Sequence, residues 1–357
     1  MSRLYILGGK QRNPELRETE EWRWYESAII AEVDTTDGDI QTRVEYRTPA
    51  AACAGDDASI NFHAGILVAN ELYTCTRTEV LCYSVPDFSL IRYLSLPCFN
   101  DLHHVTRASD GNLLIANTGL EMVLKITAHG RVLAQWSALG GDPWARFSPA
   151  IDYRRVASTK PHASHPNFVF ELDGEIWATR FHQRDAVCLN RPHRRIDLAG
   201  EFPHDGLIVG PRIYFTAVDG KIVIVDRESL RLQGVVDLRA IQDRDGVKLP
   251  AWCRGILPVD DRRIWVGFTR IRKTKFQENV RWLKQTFREG TIAKPTHIAL
   301  FDVQENKCLQ EIDLERHGIN AVYGILPATA VNSNYTSIES TVSYPGVSSE
   351  IDTGLKF

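Results

Sequence analysis

Residues 204–220 read HDGLIVGPRIYFTAVDG, and the same order of features recurs four more times along the chain. Each copy has an apolar strand, a tight turn rich in Asp, Gly or Asn, and a second strand with aromatic and β-branched residues. The other copies are FHAGILVANELYTCT (62–76), LHHVTRASDGNLLIANT (102–118), HPNFVFELDGEIWATRF (165–181) and CRGILPVDDRRIWVGFT (253–269). The pattern predicts five β-hairpins of one type.

Two further short strands follow most of these hairpins, as in KIVIVDRESLRLQGVVDL (221–238). Four antiparallel strands per repeat, at a spacing of about 40 to 50 residues, are typical of a β-propeller blade. A sixth first strand, VYGILPA (322–328), lacks its hairpin partner, whereas LYILGG, SAIIAEVD and QTRVEY near the N-terminus lack a first strand. We therefore predict an all-β, six-bladed β-propeller closed by N- and C-terminal strands.

Residues 1–330 are predicted to form this single propeller, and two segments fall outside the repeat. Residues 271–295 carry apolar side chains at helical spacing with basic residues elsewhere, which predicts a helical insertion in blade five. This helix could pack on the propeller with a solvated basic side, or it could be a lid or a docking arm for a protein partner. Residues 331–357 are Ser/Thr-rich and are read as a tail.

Composition excludes several classes of protein. The 357 residues have a formal net charge of −3, which gives no overall field that favours nucleic acid or an acidic membrane. Seven cysteines without a CxxC pair favour a reducing compartment, and no apolar run is long enough for a signal peptide or a membrane span, so a cytoplasmic protein is expected. Walker, HExxH, GxSxG and strand-linked GxGxxG motifs are absent, which argues against a nucleotide cofactor.

Polar residues recur two positions before the repeated glycine, at the start of each predicted first strand. In a propeller these strands surround the central channel, so residues at this position should converge on the axis. The position holds His63, His165, His204 and Cys253; in blade two it falls at Leu102 or His103, with His104 within one step, and in blade six it is Val322. We take His103 as the blade-two candidate, with His104 as its alternative. Neutral imidazoles at one height could bind a first-row transition metal such as zinc, iron, copper or nickel. Alternatively, each could donate a hydrogen bond to a carbonyl of the neighbouring blade.

The ends of the second strands should lie on the same face as this histidine position. They carry the candidate substrate-binding residues Arg77, Arg180, Arg270 and Asn117, together with Asp219. The arginines could bind a carboxylate or phosphate, or they could pair with Asp219, Asp205 or Asp101 and brace the rim.

Candidates for proton transfer and nucleophilic attack belong to the same face. Asp205 and Asp219 are candidate general bases, and Tyr214 and Tyr323 candidate proton donors. Cys253 could be a metal ligand, a nucleophile or a packing residue.

The hairpins HVTRASDGNLLIAN and LDGEIWATRF resemble the repeat of six-bladed propellers of the NHL, gluconolactonase and strictosidine-synthase type over nearly the whole chain. The phrases PHDGLIV, WCRGILPV and VGFTRIRKTKFQEN look like a bacterial propeller family that carries no known reaction. Similarity to the lyase half of the peptide-amidating enzyme would imply zinc on His63, His165 and His204. Gluconolactonase-type sites use Glu, Asn and Asp instead, whereas larger carotenoid-cleaving propellers hold iron with four histidines.

Two functional hypotheses follow from these observations. The first is a metalloenzyme that acts on a small, anionic metabolite at the channel mouth, with lyase, hydrolase or oxygen-activating chemistry. The second is a non-catalytic scaffold that binds a protein through one propeller face and the basic helix at 271–295.

Overall fold

Six four-stranded antiparallel sheets make up the computed structural model. It describes residues 2–12, 24–56, 58–242, 251–270 and 294–328. The sheets are the blades of the predicted six-bladed all-β propeller, and the first strands of consecutive blades contact one another around the axis. Apart from short 3-10 turns, the described residues contain one helix, α1 (Leu238–Gln242), after blade four.

Blades one to three are contiguous in sequence. Blade one contains β4 (Ile66–Val68), β5 (Glu71–Cys75), β6 (Val80–Ser84) and β7 (Leu90–Leu94). Blade two contains β8 (Leu102–Arg107), β9 (Leu113–Asn117), β10 (Met122–Ile126) and β11 (Val132–Ser137). Blade three contains β12 (Pro166–Leu172), β13 (Glu175–Arg180), β14 (Asp185–Cys188) and β15 (Arg195–Asp197).

Blades four and five follow the same plan, and blade six combines both ends of the chain. Blade four contains β16 (Pro203–Val209), β17 (Arg212–Ala217), β18 (Lys221–Asp226) and β19 (Leu232–Asp237). Blade five contains β20 (Ala251–Pro258), β21 (Arg263–Arg270), β22 (His297–Asp302) and β23 (Lys307–Asp313). Blade six contains β24 (Ala321–Pro327), β1 (Arg3–Gln11), β2 (Tyr25–Asp34) and β3 (Ile40–Tyr46).

Blade six closes the ring as the sequence predicts. Its innermost strand β24 pairs antiparallel with β1, with Leu4 opposite Pro327 and Gly9 opposite Ala321. This pairing joins the first and last described strands, so the ring has no open edge between blades one and five.

Apolar side chains fill the space between neighbouring blades. Six buried clusters lie at the six blade contacts; for example, Trp177 of blade three packs with Phe215 of blade four. Strand β12 shows the alternation that this requires, because Phe168 and Phe170 face blade four whereas Val169 faces blade two. A regular innermost strand therefore directs its side chains to the two neighbouring blades.

Strand pairing is interrupted at one level in the innermost strands. The register shifts between Leu102 and His104 in β8, Pro166 and Val169 in β12, Pro203 and Gly206 in β16, and Arg254 and Ile256 in β20; it also shifts where β24 pairs with β1. A β-bulge changes which face the following side chains occupy. Accordingly Leu102 and Val105, three residues apart, face the same core cluster.

The repeated glycine belongs to these interruptions. A Cβ atom on Gly65 would lie 2.0 Å from the carbonyl oxygen of Tyr73, and one on Gly206 would lie 2.8 Å from that of Tyr214. The interrupted strand thus approaches its partner so closely that a side chain does not fit.

The predicted helix over 271–295 falls between β21 and β22, and all but its last two residues lie outside the described residues. The tail at 331–357 also lies outside them. Within the described ranges, no helix is long and apolar enough to cross a membrane.

Replacing Gly65 by alanine is expected to lower the free energy of unfolding by about 1–3 kcal/mol, because the added methyl group overlaps the Tyr73 carbonyl. Gly234→Ala in β19 is the matched control, since no atom lies within 4 Å of the position that its methyl group would take, and it should stay within about 0.5 kcal/mol. Urea unfolding followed by circular dichroism measures both. Equal midpoints for the two variants would contradict the tight approach at Gly65.

Candidate functional site on the propeller axis

One side chain from each blade region meets on the propeller axis. The residues are His63, His103, His165, His204, Arg254 and Tyr323, which together we call the axial cluster. The His103 ring centroid lies 4.6 Å from that of His63, 5.0 Å from that of His165 and 5.7 Å from that of His204. The four histidines proposed from the repeat position are therefore brought together.

The interruptions in strand pairing place these side chains. His103 is the unpaired residue between Leu102 and His104, and His204 lies in the unpaired stretch of β16. His165, directly before β12, has a positive φ of 58°, which is unusual for a residue with a side chain and is found mostly where the surroundings enforce it. The irregular backbone thus turns side chains to the axis that regular strands would direct between blades.

The choice between His103 and His104 is settled by this geometry. The His103 ring joins the axial cluster, and its Nδ1 lies 2.9 Å from the backbone oxygen of Asp101. Since that oxygen can only accept, Nδ1 carries the proton and Nε2 of a neutral ring is left as an acceptor. The His104 ring instead packs against Phe168, with 4.8 Å between ring centroids.

The axial imidazoles are neutral, and two of them have no hydrogen-bond partner among the described residues. Burial lowers the pKa values of His63, His165 and His204 well below the ordinary value, and burial also lowers the pKa of His103. Neither ring nitrogen of His63 or His204 has a hydrogen-bond partner among the described residues. An unsatisfied buried polar group costs about 1–3 kcal/mol, so these nitrogens are available for a ligand.

Arg254 and Tyr323 are the members that the repeat position missed. The Arg254 guanidinium carbon lies 4.5 Å from the centre of the Tyr323 ring, and that ring lies 4.5 Å from the His63 ring. Arg254 forms no ion pair or hydrogen bond with any described side chain, and its Nε is buried without a partner. The sequence indicates Tyr323 only as a proton donor, although Arg254 and Tyr323 each lie one residue before a repeated glycine.

Cys253 does not face the axis, unlike the expectation from the repeat. It is fully buried in the core between blades four and five, together with Phe268 and Ile256. Gly255 has a φ of +69° and is unpaired, so Arg254 rather than Cys253 turns inward. Burial raises the pKa of the Cys253 thiol well above its ordinary range, which keeps it a packing residue in this structure.

Of the three candidate arginines, Arg77 lies nearest the axial cluster. Its Nη1 lies 3.0 Å from Oδ1 of Asp101, and although burial opposes the effect, this guanidinium lowers the pKa of Asp101. Arg180 is bonded through Nε to Asp185 at 2.8 Å, and Arg270 lies 3.2 Å from Glu315. Arg77 thus forms one of the bracing pairs expected as the alternative to substrate binding, whereas Arg180 pairs with Asp185 instead.

Asn117 and Asp219 are also held by neighbouring groups. The Asn117 amide accepts from Asn100 N and donates to the Cys98 carbonyl, and the whole residue is buried. Asp219 lies 3.2 Å from Lys221 and 3.4 Å from Arg239. Neither residue has a contact with the axial histidines.

Asp205 lies next to the axial cluster and faces a separate cavity in the channel. It lines a cavity that follows the innermost strands away from the histidines, and its carboxyl accepts a hydrogen bond from Gly206 N at 2.9 Å. Burial raises the pKa of Asp205 to about 7. Tyr214, the other candidate proton donor, is buried between blades four and five.

The four histidine rings lie near one another but are not oriented to bind one metal ion. In the described part of the chain, no three His, Cys, Asp or Glu side chains form a group that could hold a metal ion. Imidazole ligands bind zinc with nitrogen at about 2.0–2.1 Å, so the axial rings would have to turn about their side-chain bonds to share one ion.

Comparison with known proteins identifies the fold and no family. No protein-family model and no curated protein match the chain. A solved structure of a protein of unknown function from Bacteroides caccae aligns with a TM-score of 0.57 and 15% identity, covering 92% of this chain and 99% of that chain. This likeness supports the propeller architecture.

Two lyase structures give lower scores. A streptogramin B lyase aligns with a TM-score of 0.48 and 13% identity, covering 91% of both chains. A catalytically inactive virginiamycin B lyase from Staphylococcus aureus with quinupristin aligns with a TM-score of 0.42 and 16% identity, covering 67% of this chain and 70% of that chain.

Cys253 is expected to resist alkylation in the native protein, because its thiol is fully buried and uncharged. Iodoacetamide at about pH 7 to about pH 9, followed by peptide mass spectrometry, should label the partly exposed Cys308 and leave Cys253 unmodified. Unfolding in urea should make both react, which serves as the control. Native labelling of Cys253 at the rate of Cys308 would place its thiol at an accessible surface.

Proposed function

We propose that the protein is an enzyme that acts on a small anionic molecule at the axial cluster, with a first-row transition metal ion bound by His63, His103, His165 and His204. The observation that carries the proposal is that both ring nitrogens of His63 and of His204, together with Nε of Arg254, are buried without a hydrogen-bond partner among the described residues. Buried groups without partners are costly, and a bound ion and anion would satisfy them together.

The state of the histidines supports the metal. Neutral imidazole is the form that binds metal, and burial keeps all four rings neutral. His103 has Nδ1 bonded to the Asp101 carbonyl, a common arrangement for a metal-binding histidine, which would bind through Nε2. When bound, such an ion supplies Lewis-acid catalysis or activates water or oxygen.

Arg254 supports an anionic substrate. Its guanidinium has no carboxylate partner among the described residues and lies over the Tyr323 ring beside the histidines. Arginine binds carboxylate and phosphate groups in bidentate fashion, so a substrate anion would lie against Arg254. Arg77, next to the cluster, adds positive charge that is offset by Asp101.

Metal content tests the first part of the proposal. We expect about one first-row metal per chain in protein purified without a polyhistidine tag, measured by inductively coupled plasma mass spectrometry. His103→Ala and His204→Ala should each lose most of it, because each removes a nitrogen ligand. His193→Ala is the matched control, since His193 is exposed and outside the cluster.

Circular dichroism must show that the variants fold. Metal retained equally by His103→Ala, His204→Ala and His193→Ala would refute a site at the axis. The absence of metal from wild-type protein grown with zinc, iron, copper or nickel would also refute it, and would favour a partner-binding scaffold.

Anion binding tests the second part independently. Inorganic phosphate or malonate should raise the melting temperature of wild-type protein, because an anion at about 100 times its Kd stabilises the fold by about 2.7 kcal/mol. Arg254→Gln should abolish the shift, whereas Arg316→Gln, at a side chain that is 80% exposed, should keep it. An unchanged shift in Arg254→Gln would exclude Arg254 as the anion-binding residue.

A further inference from the structure

A second concave site lies in the channel on the opposite side of the axial cluster. The cavity has a volume of about 860 Å³ and is lined by the innermost strands of all six blades. Its inner wall begins directly after the cluster, with Ala64, His104, Asp205 and Gly324, and its outer end includes the exposed residue Ser109. This volume lies in the range of small-molecule pockets, about 300–1,000 Å³.

The side walls of the cavity are largely apolar. They are formed by Ile66, Leu207, Ile256, Ile325 and Phe168. Phe168 is also part of an aromatic column, with its ring centroid 5.2 Å from that of Phe170. These walls favour a ligand with an apolar body.

The basic groups at the outer end are paired with acidic groups. Arg227 lies 3.5 Å from Asp173, and Arg107 lies 3.8 Å from Glu71. The outer end therefore gives no strong preference for an anion or a cation, and an uncharged ligand fits it best.

Two polar groups at the inner wall can orient such a ligand. Nδ1 of His104 accepts from the backbone N–H of Val169 at 3.4 Å, which places the ring proton on Nε2 as a donor. On the other side of Phe168, Asp205 supplies a carboxyl group with no basic partner among the described residues. The Phe168 ring lies between them, 4.8 Å from the His104 ring and against Gly206.

We propose that this cavity is a binding site for a small uncharged molecule with an apolar, ring-containing body and one N–H or O–H group that donates to Asp205. The site is separate from the proposed axial centre and does not depend on it. Apolar walls supply affinity, and Asp205 sets the orientation of the ligand.

The probe for this site is 1-aminoanthracene, a fluorescent arylamine, and anthracene is its analogue without a donor. We expect saturable binding of 1-aminoanthracene to the full chain, with a blue-shifted emission and one site per chain. Its affinity should exceed that of anthracene by about tenfold, the effect of one hydrogen bond to a carboxyl group. Asp205→Ala should remove this difference while leaving anthracene binding in place.

A bulky residue in the cavity should block both probes. Thr106→Trp on β8 enlarges a half-buried residue of the cavity wall. It should weaken the binding of 1-aminoanthracene at least about tenfold. Thr42→Trp on the exposed face of β3 is the matched control and should bind as wild type does.

Three results would overturn the proposal. They are no saturable binding, a difference in affinity between the two probes that is absent from wild type or unchanged in Asp205→Ala, and unchanged binding in folded Thr106→Trp. Metal content is measured on the same Thr106→Trp sample. Because the proposed metal ligands belong to the axial cluster and Thr106 does not, metal content reports on the axial site and probe binding reports on the cavity. If Thr106→Trp does not fold, the Asp205→Ala comparison decides.

Discussion

The geometry of a regular β-strand gives no residue access to the propeller axis, because its side chains alternate between the two neighbouring blades. The innermost strands overcome this constraint by interrupting their pairing at one level. The close approach at Gly65 and Gly206 leaves no room for a side chain there. The repeated glycine is thus a consequence of the interruption that exposes the neighbouring residue to the axis.

Electrostatics then decides what the converged side chains can do. Four imidazolium rings beside the Arg254 guanidinium in one desolvated space would repel one another, and burial avoids this by keeping the four imidazoles neutral. The Arg254 guanidinium lies over the faces of the Tyr323 and Trp252 rings, and no described residue offers it a carboxylate partner. A cation beside neutral nitrogen donors favours the arrival of an anion, which is the basis of the proposed substrate class.

The sequence predicts the blades well because five of them repeat a complete hairpin. The turn residues of each hairpin mark where its strands end, so a single sequence is enough to locate them. The same repeat predicts His63, His165 and His204, and in blade two it leaves the choice among Leu102, His103 and His104 open. It fails at Cys253, where the interruption falls one residue differently and Arg254 turns inward. A one-residue difference moves a side chain to another face. The partner of Arg270, Glu315, comes from a distant part of the chain and leaves no local signal, whereas Asp185 lies close to Arg180 in sequence.

Closure of the ring and assembly of the axial cluster are one event in this architecture. Tyr323 belongs to β24, which becomes the inner strand of blade six only when it pairs with β1. Its ring then contacts His63 of blade one and faces His204 of blade four, 6.2 Å away between centroids. Tyr323, whose ring packs against the Arg254 guanidinium, therefore comes from the last described strand. The axial cluster cannot be complete in an open chain of five blades.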